Sequence, residues 1–140
     1  MFERILLAVD GSEHALNAAR TAGELARSMQ AERMLIVIAY DPIPPYLGEP
    51  NLQQAIDARL EDANKVLDAA KAAVGTLPFE VITELIEGSA AEAIIKVADT
   101  RQSDIIIMGS RGLGRLTGAL LGSTSQKVIS HAPCPVLIVR

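Results

Sequence analysis

The chain has 140 residues, the usual length of one domain, and 49% of them are hydrophobic although only 3% are aromatic. Its formal charge of -4 and its pI near 5.1 leave no basic excess to neutralise a phosphate backbone, which argues against nucleic acid as the main partner. The apolar runs are far shorter than the ~20 residues of a membrane-spanning helix, so no membrane partner is expected.

Five short apolar runs predict β-strands. In chain order these strands are expected at residues 4–9, 34–40, 79–86, 104–108 and 136–139. We interpret the runs as continuously apolar rather than alternating, which is typical of strands covered on both faces. The sequence therefore predicts a buried, parallel sheet.

Two long segments between the strands have helical spacing. Residues 12–29 begin at Ser12, whose side chain suits an N-cap, and residues 51–74 end before Gly75. Both repeat apolar side chains at steps of three and four, as helices that cover a sheet do. The expected buried stripes are Leu16, Ala19, Ala22, Leu25 and Met29 in the first helix, and Ile56, Leu60, Ala63, Leu67, Ala70 and Val74 in the second.

Two capping-box patterns predict the starts of two further helices. Ser89 with Glu92, and Ser123 with Gln126, have the spacing in which a side chain and a backbone satisfy each other's unpaired donors. Strands and helices then alternate along the whole chain. Right-handed crossovers wind such an order into one α/β domain, an open parallel sheet with helices on both faces.

A glycine-rich segment follows the fourth strand, and ligands of such sheets bind beyond the carboxyl ends of the strands. Glycines let backbone N–H groups approach an anion, and the start of a helix adds unpaired donors. Ser123 and Thr124 add hydroxyl groups. The spacing fits neither a Walker A loop nor the dinucleotide fingerprint. The glycines of this predicted phosphate-binding segment are Gly109, Gly112, Gly114, Gly118 and Gly122.

Three blocks of the sequence resemble the universal stress protein family. Gly109, two residues, Gly112, nine residues, Gly122 and then Ser123 match the G-2x-G-9x-G-[ST] signature of the ATP-binding branch of that family. ILLAVDGSEHA resembles its opening strand and turn, and SDIIIMGSRG resembles its fourth strand. GSTSQKVISHAPCPVLIVR resembles its closing helix and strand, so the likeness covers the whole chain.

The resemblance implies a universal stress protein domain over residues 1–140 with strand order 3-2-1-4-5, of the Rossmann-like or adenine nucleotide alpha hydrolase-like type. It also implies a nucleotide that bridges the ends of strands one and four. By the matching blocks, Ala8, Val9, Asp10 and Ala39 would meet the adenine and ribose, Met108, Gly109, Arg111 and Gly112 the ribose and first phosphates, and Gly122, Ser123 and Thr124 the outer phosphates.

The expected ligand is ATP, with AMP or cAMP as the alternative. No metal site is expected from the protein alone, although Mg²⁺ or Mn²⁺ on the phosphates would lie near Asp10. The resemblance further implies a homodimer that pairs through the C-terminal edge strand, Pro135 to Val139.

The same residues also have simpler structural interpretations. Asp10 and Ser12 suit a strand-to-helix turn with a cap, and Gly112 suits an ordinary loop. Surface positions are expected for His14, His131 and Arg115, and a packing role is expected for Cys134.

No activated nucleophile, catalytic triad or metal cluster can be assembled from these residues, so an enzyme is not expected beyond slow ATP hydrolysis. The lone Cys134 and the lack of a signal pattern favour the cytoplasm. The expected function is a nucleotide-dependent stress-response regulator that acts as a homodimer. The alternatives are a nucleotide-free dimeric interaction module and a weak ATPase of the same fold.

Overall fold

Strands and helices alternate along residues 1–112 and 121–140, the part of the chain that the computed structural model describes. Gly114, Arg115 and Gly118 lie outside these residues. The strands are β1 Arg4–Ala8, β2 Arg33–Tyr40, β3 Ile82–Glu87, β4 Ile105–Gly109 and β5 Val136–Val139. The α-helices are α1 Glu13–Ser28, α2 Asn51–Val74, α3 Ala90–Thr100 and α4 Ser123–His131, and a short 3-10 helix, Pro45–Leu47, precedes α2.

The five strands form one parallel sheet in the order β3-β2-β1-β4-β5. This finding confirms the predicted fold class and strand order. In the central strand, Ile5 lies beside Met34 of β2 and Ile105 of β4. Because the chain runs from β1 outward through β2 and β3 and returns to β4 on the other side, the winding reverses between β1 and β4. The carboxyl ends of these two strands therefore flank a cleft.

Each face of the sheet carries its own hydrophobic core. Leu7 and Ile36 point to the face covered by α1 and α2, whereas Leu6 and Ile106 point to the face covered by α3 and α4. Side chains of a strand alternate between faces, so neighbouring residues of β1 supply both cores. The predicted placement of helices on both faces is confirmed.

The buried side of α1 consists of alanine rather than leucine. Leu16, Leu25 and Met29 of the predicted stripe are only half-buried, because the helix lies so close to the sheet that small side chains face it. In α2 the predicted stripe is buried from Ala63 onward, but Leu60 is 40% exposed. The buried alanines of α1 are Ala15, Ala18, Ala19, Ala22 and Ala26.

Among the described helices, none is both long and apolar enough to cross a membrane.

The two edge strands are less buried than predicted. β3 begins at Ile82 rather than at Phe79, and Ile82 is 48% exposed. All four residues of β5 are half-buried. An edge strand has a neighbour on one side only, so the helices that cover the sheet shield it incompletely. Full burial on both faces is confined to the central strands.

The predicted helix starts differ in how they are capped. Ser12 is the N-cap of α1, and its Oγ accepts a hydrogen bond from the Ala15 N–H at 3.2 Å, as predicted. Ser89 is the N-cap of α3, but its side chain makes no capping hydrogen bond. The capping role of Ser123 is wrong. Gly122 takes the N-cap position of α4 in an extended conformation, so Ser123 is already helical.

We expect Ser12→Ala to lower the free energy of unfolding by about 1 kcal/mol, because the Ala15 N–H loses its acceptor. Ser89→Ala is the matched control, since it removes a hydroxyl at the same helix position without a capping bond. Urea unfolding followed by circular dichroism measures both losses. Equal losses in the two variants would contradict this account of the caps.

Candidate functional site

A cavity of about 320 Å³ opens at the carboxyl ends of β1 and β4. Its volume lies at the lower end of the roughly 300–1,000 Å³ that is typical of small-ligand sites. It also lies where the winding of the sheet reverses, the usual ligand position in this architecture. Every residue predicted above to contact the nucleotide lines this cavity: Ala8, Val9, Asp10, Ala39, Met108, Gly109, Arg111, Gly112, Gly122, Ser123 and Thr124.

The cavity has an apolar floor that the sequence patterns did not reveal in full. Val37 lies two residues before Ala39 in β2, and residues two apart in a strand share a face. Ala90 and Ile94 lie one turn apart at the start of α3 and reach the same space. These spacings could have identified Val37 and Ile94 once the face of the sheet was known.

The opposite end of the cavity is polar and lies at the start of α4. The first bond of this helix runs from the Gln126 N–H to the Gly122 carbonyl at 3.0 Å. The N–H groups of Ser123, Thr124 and Ser125 come before that bond, and they have no acceptor among the described residues. Unpaired amides at the positive end of a helix dipole favour an anion.

Asp10 combines a position in the cavity with a structural bond. Its Oδ1 accepts a hydrogen bond from the Ser12 N–H at 2.9 Å, so the turn interpretation of this segment is confirmed. The Ser12 Oγ is 3.4 Å from the Arg111 carbonyl, to which it donates. A Cβ at Gly112 would clash with the other oxygen of the Asp10 carboxylate. The loop after β4 therefore rests on the turn after β1.

Gly109 has a packing role that its place in the glycine pattern did not reveal. A Cβ at this position would lie 2.9 Å from the carbonyl carbon of His14 and 3.0 Å from the amide nitrogen of Ala15. Both atoms belong to the backbone of α1 and cannot move aside without shifting the helix. Glycine at the end of β4 therefore permits the close approach of α1.

The approach of α1 brings His14 onto the residue after β4. The His14 Nδ1 lies 2.7 Å from the Ser110 Oγ, and His14 is half-buried. The predicted surface position of His14 is therefore confirmed only in part, because α1 packs directly over the end of β4 and half-buries the ring. His131 is exposed, as predicted. Ser110 is only 2% exposed and does not line the cavity.

Cys134 lies outside the cavity lining and packs partly buried against the core beneath α3 and α4, as predicted. Burial raises the pKa of the Cys134 thiol, and the nearby Asp104 carboxylate raises it further. Both effects disfavour the thiolate. Within residues 1–112 and 121–140, no three histidine, cysteine or acidic side chains converge to hold a metal ion.

A second cavity of about 370 Å³ adjoins the first on the side of α2. Asp10, Ala39 and Ala90 line both spaces, so the two are neighbours along the ends of the strands. The outer wall includes Tyr40 and Arg59, whose guanidinium carbon lies 6.0 Å from the ring centroid of Tyr40. The sequence analysis did not foresee this space.

An open parallel α/β sheet with a cavity at its reversal point defines the doubly wound class of ligand-binding domains. Within that class, the model of the universal stress protein family matches residues 1–140. The chain therefore belongs to the universal stress protein family.

Relatives in this family match the chain along its whole length. The Thermus aquaticus "universal stress protein in QAH/OAS sulfhydrylase 3'region" is 49% identical over 140 residues, which cover 100% of both chains. Universal stress protein UspA from Lactobacillus plantarum is 28% identical with a TM-score of 0.86, covering 99% of this chain and 98% of that one. A universal stress protein solved in complex with cAMP is 28% identical with a TM-score of 0.71, covering 99% and 97%.

We expect Gly109→Ala to lower the free energy of unfolding by about 1–3 kcal/mol, because the added methyl group meets the backbone of α1. Gly112→Ala is the matched control. There the methyl group meets only the end of the Asp10 side chain, which can rotate, so we expect a loss below about 1 kcal/mol. Chemical unfolding measures both values. If Gly109→Ala loses no more stability than Gly112→Ala, the close contact between Gly109 and α1 does not have the packing role assigned to it.

Proposed function

We propose that this protein binds an adenine nucleotide, ATP in the first place, and acts as a homodimeric stress-response regulator in the cytoplasm. The observation that carries the proposal is the first turn of α4. Ser123, Thr124 and Ser125 line the cavity, and their N–H groups, which have no acceptor among the described residues, can donate to phosphate oxygens. The apolar floor at the other end can receive a base.

The chemistry of the two ends supports an adenine nucleotide. Val37, Ala39 and Met108 give the floor aliphatic and thioether contacts for a flat ring. The relative solved with cAMP supports the same class of ligand. ATP is favoured over cAMP because the polar end offers several donors at the start of α4, including the Thr124 hydroxyl, more than one cyclic phosphate would use.

A divalent cation would be bound mainly by the phosphates. Asp10 supplies a carboxylate beside the cavity, and Mg²⁺ prefers oxygen ligands while it keeps several waters. The described residues hold no cluster that could bind a cation alone. These features fit a metal ion that binds together with the nucleotide. The metal ion would neutralise part of the phosphate charge.

We propose binding rather than turnover. Hydrolysis needs a residue that orients the attacking water. Asp10 is the single carboxylate among the described lining residues, none of which is a histidine, and its Oδ1 already accepts the Ser12 N–H. This set of lining residues supports a regulator that signals by whether its cavity holds a nucleotide.

We expect Thr124→Glu to weaken ATP binding at least about tenfold, because a carboxylate at the start of α4 repels phosphate. The helix itself should fold normally, since an acidic side chain suits its first turn. Adenosine, which has no phosphate, should bind the variant and the wild type alike. Isothermal titration calorimetry with ATP, cAMP and adenosine, in the presence of Mg²⁺, measures the affinities.

The matched control is Gln126→Glu, which adds the same charge to the same helix at an exposed position outside the lining. It should keep the wild-type affinity for ATP. If the wild type binds none of the three compounds, the nucleotide proposal fails and the nucleotide-free interaction module takes its place. If Thr124→Glu binds ATP normally, the phosphates do not lie at α4.

The proposed dimer uses β5, which is an edge strand with β4 on one side only. We expect Leu137→Lys to give monomers, because a charged side chain in the middle of β5 opposes strand pairing. Ile82→Lys is the matched control at the opposite edge of the same sheet. Light scattering after size-exclusion chromatography gives the masses, and circular dichroism verifies folding. If the Leu137→Lys variant is still a dimer, β5 is not the dimer interface.

A further inference from the structure

Ser110 connects three parts of the fold through three short hydrogen bonds. Its N–H donates to the Val139 carbonyl at 2.7 Å, and its carbonyl accepts the Gly122 N–H at 2.7 Å. Its Oγ lies 2.7 Å from the His14 Nδ1. One buried residue therefore bonds to β5, to the N-cap of α4 and to α1.

Ser110 lies directly behind the wall of the cavity. Its neighbours Gly109 and Arg111 line that space, and so does Gly122, whereas Ser110 does not. The Ser125 Oγ reinforces the wall by donating to the Gly109 carbonyl at 2.9 Å, with the Ser110 carbonyl at 3.3 Å. A displacement of the Ser110 backbone would therefore shift the residues at the polar end of the cavity, at the start of α4, which we call the anion end.

Helix α1 holds both sides of this junction. His14 bonds to Ser110, and Asn17, one turn further on, donates from its Nδ2 to the Arg140 carbonyl at 3.0 Å. The two contacts fix the end of β4 and the residue after β5 against the same helix. Helix α1 thereby supports, from both sides, the direct bond between the Ser110 N–H and the Val139 carbonyl.

We propose that Ser110, held by His14, is a positioning residue that couples the anion end of the cavity to β5. The proposal rests on the proposed function in taking an adenine nucleotide as the ligand. A nucleotide that binds at Gly122 and α4 stabilises the Gly122 to Ser110 bond, and thereby the Ser110 to Val139 bond. Coupling of this kind is reciprocal, so a well-ordered β5 also favours nucleotide binding.

Three variants of His14 test the hydrogen bond rather than the volume of the ring. An asparagine amide can reach the position of Nδ1, whereas a glutamine amide reaches toward the position of Nε2. We expect His14→Ala and His14→Gln to weaken ATP binding about five- to tenfold, the effect of losing one partly buried hydrogen bond. His14→Asn should stay within about twofold of the wild type. Equal affinities for the Asn and Gln variants would overturn the proposal.

Amide hydrogen exchange gives a second readout that needs no ligand. In His14→Ala the amides of Ser110 and Gly122 should exchange faster, while the amide of Leu7 in the central strand reports global stability and should not change. In the wild type, ATP should slow exchange at Ser110. Unchanged exchange at Ser110 and Gly122 in His14→Ala would overturn the positioning role, even if ATP does not bind and the proposed function has already failed.

Discussion

The close contact between α1 and the end of β4 determines how the loop after β4 is held at the carboxyl edge of the sheet. Gly109 allows this contact because a Cβ would meet the helix backbone at about 3 Å. The alanine side of α1 extends the same close approach along the central strands. With the helix this near, Ser12 can reach the Arg111 carbonyl and His14 can reach Ser110. The loop after β4 is therefore held by the element that follows β1.

The anion end of the cavity is built mainly from backbone donors. The chain carries a net charge of -4, and Arg111 is the single basic side chain among the described residues that line the cavity. In the proposed function, attraction of a phosphate would arise locally, from the first turn of α4 and its dipole, rather than from a basic surface. Such a site discriminates by the geometry of its N–H groups.

The sequence predicted the sheet, its order and the lining of the cavity more closely than the details of packing. The apolar runs and the glycine spacing depend on local chemistry and could be recognised directly, whereas the strand order and most of the lining residues followed from the resemblance to the family. The half-burial of Leu16 and the hydrogen bond of His14 depend on how near α1 lies to β4, which no local pattern reports. The start of α4 was misplaced by one residue, because Gly122 adopts the N-cap conformation that serine usually takes.

Two glycines of the signature have structural duties that do not require a ligand. Gly109 is needed for the packing of α1, and Gly112 avoids a clash with the Asp10 carboxylate. A chain with an empty cavity would still need Gly109 for packing, whereas the Asp10 side chain can rotate away from a larger residue at position 112. Gly109 alone therefore does not separate a nucleotide-binding member of the family from a nucleotide-free one. The amides of Ser123 and Thr124, by contrast, have no acceptor within residues 1–112 and 121–140. They sit opposite an apolar floor, and this combination favours a ligand with a phosphate at one end and a flat ring at the other.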